Sequence, residues 1–123
     1  MSIANNSDSI LLSIKSLIGG LDETVTRFDT DLMIFINSTF TVLSQVGVGP
    51  DEQFRIEGPD EVWSDFECHD LEAVKEYMYL KVKLTFDPPL NSTILNAYQE
   101  RASELEWRLG VISEELADGS TEE

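Results

Sequence analysis

The stretch between Asp70 and Pro89 constrains the fold of this chain more than any other. From Tyr79 to Phe86 apolar and polar residues alternate, which is the pattern of a half-buried β-strand. The same residues also continue a helical pattern that begins at Asp70, and no Gly, Pro or Asn interrupts it before Phe86. The segment stops at Pro88 because the residue before a proline avoids the α region. We therefore predict one long buried helix, with a strand in its second half as the alternative.

Three further segments have apolar residues at helical spacing. The first ends at Gly19-Gly20, the second is capped by Asp29 or Thr30 and ends at Gly47, and the last is capped by Asn91 or Ser92. The last helix also carries an apolar seam with coiled-coil-like steps. The predicted fold class is all-α, a small bundle of about four helices at about 8–18, 30–46, 70–86 and 92–117.

The least regular region, residues 47–69, separates the second helix from the third. We predict a long loop or a short β-hairpin there, with Phe54-Arg55-Ile56 as a possible strand. Trp63 and Phe66 are expected to anchor this loop to the core. A chain of 123 residues suits one domain, so residues 1–117 are predicted to form a single helical domain and residues 118–123 a flexible acidic tail.

The charge of the chain excludes some partners. It has 24 Asp and Glu against 8 Lys and Arg, a formal net charge of −16. Tight binding to nucleic acid requires Lys and Arg to contact phosphates, so this composition argues against it. Cys68 is the only cysteine, which fits a reducing compartment. The first apolar run is too short to span a bilayer, and the N-terminus lacks the basic start of a signal peptide, so we expect an intracellular protein with no membrane partner.

No constellation of residues indicates catalysis. His69 is the only histidine and adjoins Cys68, but a nucleophile, its base and an orienting group must converge in space, and adjacent residues rarely do so. The loop carboxylates lack the spacing of a calcium-binding loop. We therefore expect no enzyme, no metal and no cofactor. Trp107 lies off the apolar seam of the last helix; we interpret it as the edge of a wide core face, and an exposed aromatic anchor is the alternative.

Three stretches carry a resemblance to a known family. They are IFINSTFTVLSQVGVGP at 34–50, VKEYMYLKVKLTFDPP at 74–89 and ELEWRLGV at 104–111, with WSDF at 63–66 between the first two. In this order and spacing the chain resembles the head–tail connector proteins of tailed bacteriophages, small adaptor or head-completion proteins found mostly in phages and prophages of Gram-positive bacteria. The resemblance covers roughly residues 7–115.

The resemblance implies an adaptor that assembles as a ring, usually a dodecamer, under the portal in the neck of the virion, after assembly in the host cytoplasm. Its partners would be the portal protein, a stopper or tail-completion protein and further copies of itself, and DNA would pass through the lumen without specific binding. It implies no catalytic residues. Carried onto this chain, the candidate portal contacts are Trp107, Val111, Ile112 and Leu116. The candidate contacts with a neighbouring subunit or the stopper are Asp51, Glu52, Phe54, Arg55, Glu57, Asp60 and Glu61.

An acidic binding module that mimics DNA and blocks a nucleic-acid-binding protein is the alternative function. The charge fits it. A mimic, however, presents its carboxylates in regular rows, whereas here they cluster in one loop and at the C-terminus.

Overall fold

The computed structural model describes residues 8–19, 21, 24–50 and 52–121, the last six as backbone only. Within these residues the chain forms four α-helices, one turn of 3₁₀-helix and a single isolated bridge between Ser9 and Val62, and no strand. The all-α prediction is confirmed. The helices are α1, Ile10–Gly19; α2, Asp29–Gln45; α3, Leu71–Phe86; and α4, Ser92–Thr121.

The stretch with two possible patterns is a helix, α3, and the strand alternative is wrong. Asp70 caps it, because its Oδ1 accepts a hydrogen bond from the Ala73 N–H at 3.1 Å. α3 packs against each of the other three helices. A helix covered on several sides needs apolar residues around most of its circumference, and those residues blur the 3.6-residue period. Its buried side chains are Ala73, Val74, Tyr77, Met78, Leu80 and Val82.

The end of α2 follows the sequence closely. Gly47 has a φ of +85°, the left-handed conformation that glycine adopts most easily. The Gly47 N–H donates to the Ser44 carbonyl at 3.0 Å and the Val48 N–H to the Leu43 carbonyl at 2.8 Å. These two bonds form the Schellman motif. The predicted stop at Gly47 is confirmed.

The start of α2 differs from the prediction. Phe28 occupies the N-cap position and makes no capping bond through its side chain, so the predicted caps Asp29 and Thr30 are wrong. Asp29 instead lies in the first turn, where its Oδ1 is 2.9 Å from the Lys15 Nζ of α1. Lys15 is 1% exposed, and the contact is an ion pair without hydrogen-bond geometry. A buried cation needs an oppositely charged partner, so Asp29 acts as the ion-pair partner of Lys15 and not as a helix cap.

α2 and α4 lie on different sides of α3 and run in the same direction. Each packs along α3, whereas they do not pack along each other. The ring of Phe28, before α2, makes an edge-to-face contact with Phe86 at the end of α3, with centroids 5.3 Å apart, which places the start of α2 near the start of α4. At the other end, a Cβ on Gly110 of α4 would lie 3.6 Å from the Val46 Cβ.

α4 is much longer than the helix on which it packs. It has 30 residues against 16 in α3, a difference of about 20 Å at 1.5 Å per residue. Ala102, Leu105 and Leu109 in its middle are buried. α4 ends at Thr121, beyond the predicted end at residue 117, so the helix covers most of the segment expected to be a tail. The division into one domain and a tail otherwise stays a prediction.

Candidate docking surfaces

The segment between α2 and α3 is irregular but firmly attached to α2. The Asn37 side chain bonds both polar groups of one loop residue: its Nδ2 donates to the Ile56 carbonyl at 3.0 Å, and its Oδ1 accepts from the Ile56 N–H at 2.7 Å. The Phe54 and Phe66 rings pack on Phe40 of α2 with centroids 5.0 and 4.9 Å away. No hairpin forms in residues 52–70.

The same segment is also attached to α1. The Ile10 N–H donates to the Glu61 carbonyl at 3.1 Å, and the Ser9 hydroxyl donates to the Pro59 carbonyl at 2.7 Å. Trp63 is 1% exposed, and its indole N–H donates to the Ser13 Oγ at 2.9 Å. The prediction that Trp63 anchors the loop is confirmed, since a buried tryptophan needs a partner for its N–H.

Phe66 holds the beginning of the loop as well as its middle. It is buried, as predicted, and its ring covers Gly49, where a Cβ would lie 2.5 Å from the ring. Gly49 has a φ of +105°, so both the close approach and the backbone conformation require glycine there. The loop is therefore fixed in shape without regular secondary structure.

This rigid loop presents a strongly negative surface. Nine of the chain's carboxylates and one arginine lie between residues 51 and 72, a net charge of −8 and thus half of the total of −16. Asp51 lies outside the described residues. Of the other loop residues predicted to make contacts, Glu52, Arg55, Glu57 and Asp60 are exposed, and Phe54 and Glu61 are partly buried.

Two of those loop residues, Phe54 and Glu61, already make contacts within the subunit. Phe54 packs on Phe40, and the Glu61 carboxylate accepts from the N–H groups of Glu57 and Gly58 at 3.0 and 3.3 Å. This leaves Glu52, Arg55, Glu57 and Asp60 as the side chains that a partner would meet. In the described part of the chain, no three Asp, Glu, His or Cys side chains are placed to hold a metal ion.

The second surface is the outer side of α4 toward its C-terminal end. Trp107 is 69% exposed, so our interpretation of it as the edge of the core is wrong and the alternative, an exposed aromatic side chain, is what the structure has. Val111 and Ile112 are partly buried, and only the backbone of Leu116 is described. The candidate portal contacts therefore lie in the second half of α4, but Trp107 and Val111 line a different groove from Ile112.

Gly110 marks the place where α4 passes the turn that ends α2. A Cβ on Gly110 would lie 3.6 Å from the Val46 Cβ, an ordinary van der Waals distance, so the two backbones are near each other but the position does not require glycine. Open grooves lie on both sides of the crossing: Trp107 and Val111 line one, and Leu109 and Ile112 line the other. A glycine inside a helix costs about 1 kcal/mol relative to alanine. Its presence in the last predicted helix was therefore a signal of a close contact, and the prediction from sequence did not use it.

α4 is held on α3 by polar contacts as well as by its apolar seam. Arg101 donates to both Glu76 carboxylate oxygens, at 2.7 and 3.0 Å, and contacts Glu104 at 3.4 Å. The hydrogen bond from Arg101 lowers the pKa of the Glu76 carboxyl. In the interior, the Tyr77 hydroxyl donates a hydrogen bond to Glu106 at 2.8 Å. Burial raises the pKa of Tyr77 above its usual range, and the Glu106 carboxylate raises it further by a smaller amount.

Cys68 and His69 border the groove that Leu109 and Ile112 line, which has a volume of about 380 Å³. Burial raises the pKa of the Cys68 thiol. A nucleophilic cysteine reacts as the thiolate and therefore needs a lowered pKa, the opposite of the shift at Cys68.

Comparison with known proteins places the chain in a family. A family model described as phage connector protein matches residues 10–116. The searches of curated proteins and of solved structures found no match. None of the described helices has the length and hydropathy of a membrane-spanning segment. Because the model covers most of the chain, this protein belongs to the phage connector protein family, a family of structural head–tail connectors.

Proposed function

We propose that this protein is the adaptor in the neck of a phage virion, assembling as a ring, in the usual case a dodecamer, between the portal and the stopper or tail. The match to the phage connector family over residues 10–116 carries this proposal. Free subunits would be present in the host cytoplasm until a portal recruits them. A net charge of −16 opposes association of free copies, so binding to the portal would supply the free energy that starts assembly.

The second half of α4 is the proposed portal contact, through Trp107, Val111, Ile112 and Leu116. The exposure of Trp107 supports this, because tryptophan is the residue most enriched among those that dominate binding energy. Glu104 and Glu114 lie one turn before and two turns after Trp107 on the same side of the helix. A matching portal site would therefore be an apolar pocket bordered by Lys or Arg.

The acidic loop is the proposed contact for the stopper or for a neighbouring subunit, through Asp51, Glu52, Phe54, Arg55, Glu57, Asp60 and Glu61. Its attachment to α1 and α2 supports the role, because a rigid surface loses little conformational entropy on binding. Two such loops would repel each other. A stopper with a basic face is therefore the better partner of the two.

Acidity also suits a channel for DNA. A lumen lined with carboxylates offers phosphates no Lys or Arg to bind, so DNA would pass without being retained. Replacing Glu52, Glu57 and Asp60 together by glutamine or asparagine is expected to slow DNA ejection from assembled virions. Unchanged assembly and ejection would show that these carboxylates only keep the surface hydrated.

Binding to portal rings tests the proposal directly. We expect the purified chain, mixed with portal dodecamers of its own phage, to form a complex whose mass by light scattering equals the portal plus a ring of this chain. Trp107→Ala should weaken that complex at least about tenfold, the typical loss for a binding hot spot. The control is Leu17→Ala, because Leu17 is also exposed but lies on α1.

Binding to a basic DNA-binding protein, without any binding to portals, would contradict the proposal and favour the DNA-mimic function. Binding to portals that Trp107→Ala leaves unchanged would keep the adaptor function and move the portal contact away from the second half of α4.

A further inference from the structure

Uncharged sequence is unusual in this acidic chain, and its two longest uncharged runs lie on separate helices. One is Leu32–Pro50, which includes most of α2, and the other is Pro88–Gln99, which includes the start of α4. Much of the first run is core. Both runs, however, also contribute side chains to the surface.

The exposed side of α2 forms the first uncharged surface, called here the α2 outer surface. Its residues follow each other at steps of four, three and four, so they lie in one row on the helix. Ile34 is 58% exposed despite its large apolar side chain. The members are Ile34, Ser38, Thr41 and Gln45; Thr41 is half-buried, and its hydroxyl accepts a hydrogen bond from the Gln53 side chain of the loop.

The corner between α3 and α4 forms the second, called here the tip surface. Leu90 is fully exposed and Ile94 is 45% exposed. Thr93 and Ala97, which are also exposed, complete it. It ends at Asp87 on one side and at Glu100 on the other.

We propose that the tip surface of one copy binds the α2 outer surface of the next copy, and that this contact closes the ring. The inference rests on the proposed ring assembly and names its interface. Copies with a charge of −16 repel each other across most of their surface. Interface cores are depleted of charge, and none of the residues that form these two surfaces is charged.

The positions of the two surfaces suit a ring. They differ from each other, so the contact is heterologous, the kind that generates closed rings when the rotation closes. α2 and α4 each pack along α3 but not along each other, and the edge-to-face contact of Phe28 with Phe86 brings their first turns to the same end of the molecule. Neighbouring copies would thus meet side by side at one level.

Crosslinking of the full chain tests the pairing. In a Cys68→Ser background, Ile34→Cys and Ile94→Cys are made separately and together. At 1 M NaCl, where the Debye length is about 3 Å, repulsion between copies is screened while apolar contacts persist. A short bismaleimide crosslinker should join the two single variants when they are mixed, should not join either variant to itself, and should convert the double variant into a ladder of oligomers.

Variants of the wild-type chain give a second measurement. Ile34→Ser and the double variant Leu90→Ser/Ile94→Ser should each weaken self-association in sedimentation at least about tenfold, which corresponds to about 1.4 kcal/mol. Leu17→Ser should leave it unchanged, because Leu17 is 57% exposed but lies on neither surface. Thermal unfolding followed by circular dichroism shows whether each variant is folded, and all four substitutions are at exposed positions.

Crosslinking of either single variant to itself, or no crosslinking between the two in conditions where the wild type associates, would overturn this interface. Failure of the wild type to associate at 1 M NaCl would also overturn it. None of these results bears on binding to portal rings, which separately tests the proposed function.

Discussion

The segment between α2 and α3 is irregular but firmly attached to the rest of the fold, whereas the long helix α4 is regular but exposes large side chains. The segment has a single 3₁₀ turn, yet Asn37, Ser13 and the phenylalanine rings attach it to two helices. α4 is regular over 30 residues, yet Ile94 in its first turn and Trp107 on its outer side are exposed, as is Leu90 just before it. Contacts with the rest of the fold, and not hydrogen bonds within an element, determine which part is rigid.

The difference separates two tasks that a connector needs. A fixed loop presents a surface of constant shape and charge. A helix longer than the body that supports it reaches beyond that body at its ends, where partners are accessible. Substitutions in the two regions test this comparison, and they are ordered from the largest expected effect on stability to the smallest.

The two tryptophans provide the sharpest test. Trp63→Ala removes a fully buried side chain and leaves the loop without its anchor, so it should lower the free energy of unfolding by about 3–5 kcal/mol. Trp107→Ala removes an exposed side chain and should change it by about 0.5 kcal/mol or less. Urea unfolding followed by circular dichroism measures both. Similar losses for the two variants would mean that the loop is no more firmly held than the outer side of α4.

Gly49 tests the contact between the loop and the Phe66 ring. Gly49→Ala should lower the free energy of unfolding by about 2–4 kcal/mol, because alanine at positive φ is strained and its Cβ would lie 2.5 Å from the ring. Gly58→Ala is the matched control in the same loop, since nothing lies within 4 Å of a Cβ there. Chemical denaturation compares the two, and an equal effect would indicate that Phe66 moves aside freely.

Asn37 tests the attachment of the loop to α2. Asn37→Ala leaves the buried Ile56 backbone without two hydrogen bonds and should cost about 1–3 kcal/mol. Hydrogen exchange should show faster exchange of the Ile56 amide in this variant. Asn96→Ala on the exposed side of α4 is the control and should be neutral or slightly stabilising, since alanine is the better helix former. Unchanged exchange at Ile56 would contradict the assigned role of Asn37.

Glu76 tests the exposed ion pairs that hold α4 on α3. Its pKa is lowered in the folded state, so the pair with Arg101 stabilises the fold above the unfolded pKa of Glu and loses this effect as the pH falls through the lower, folded value. Glu76→Gln should therefore destabilise slightly at pH 7 and not at low pH. Both groups are more than one third exposed, so the effect should be small and should shrink in 1 M NaCl. A large, salt-independent loss would show that the pair is structurally essential.

Local signals in the sequence identified much of the fold. The glycine after α2, the aspartate before α3 and the double proline after it mark helix ends through backbone chemistry that acts within a few residues. Trp63 and Phe66 were recognisable as anchors because large apolar side chains in an acidic loop have few other uses. The family resemblance came from the order of such stretches, and the match over residues 10–116 confirmed it.

Other features depended on neighbours that are distant in sequence. Asp29 fits a capping role locally, but the buried Lys15 of α1 takes it as an ion-pair partner. Trp107 fits the edge of a core face, but α4 is covered on one side only, which leaves its indole exposed. The alternating stretch at 79–86 resembled a strand because three helices cover α3. The apolar periodicity of a helix indicates how much of its surface is buried, but it does not indicate which elements bury it.

The sequence by itself thus determined the number of helices, most of their ends, the acidity of the loop and the family. Only the tertiary structure decided that the irregular loop is fixed in place, that α4 passes the end of α2 at Gly110, and that the two uncharged surfaces lie on helices that pack along α3 but not along each other. The physical reason is the distance along the chain over which each interaction acts. Caps and turns are settled by the backbone of a few consecutive residues, whereas burial and exposure depend on every element packed around a side chain.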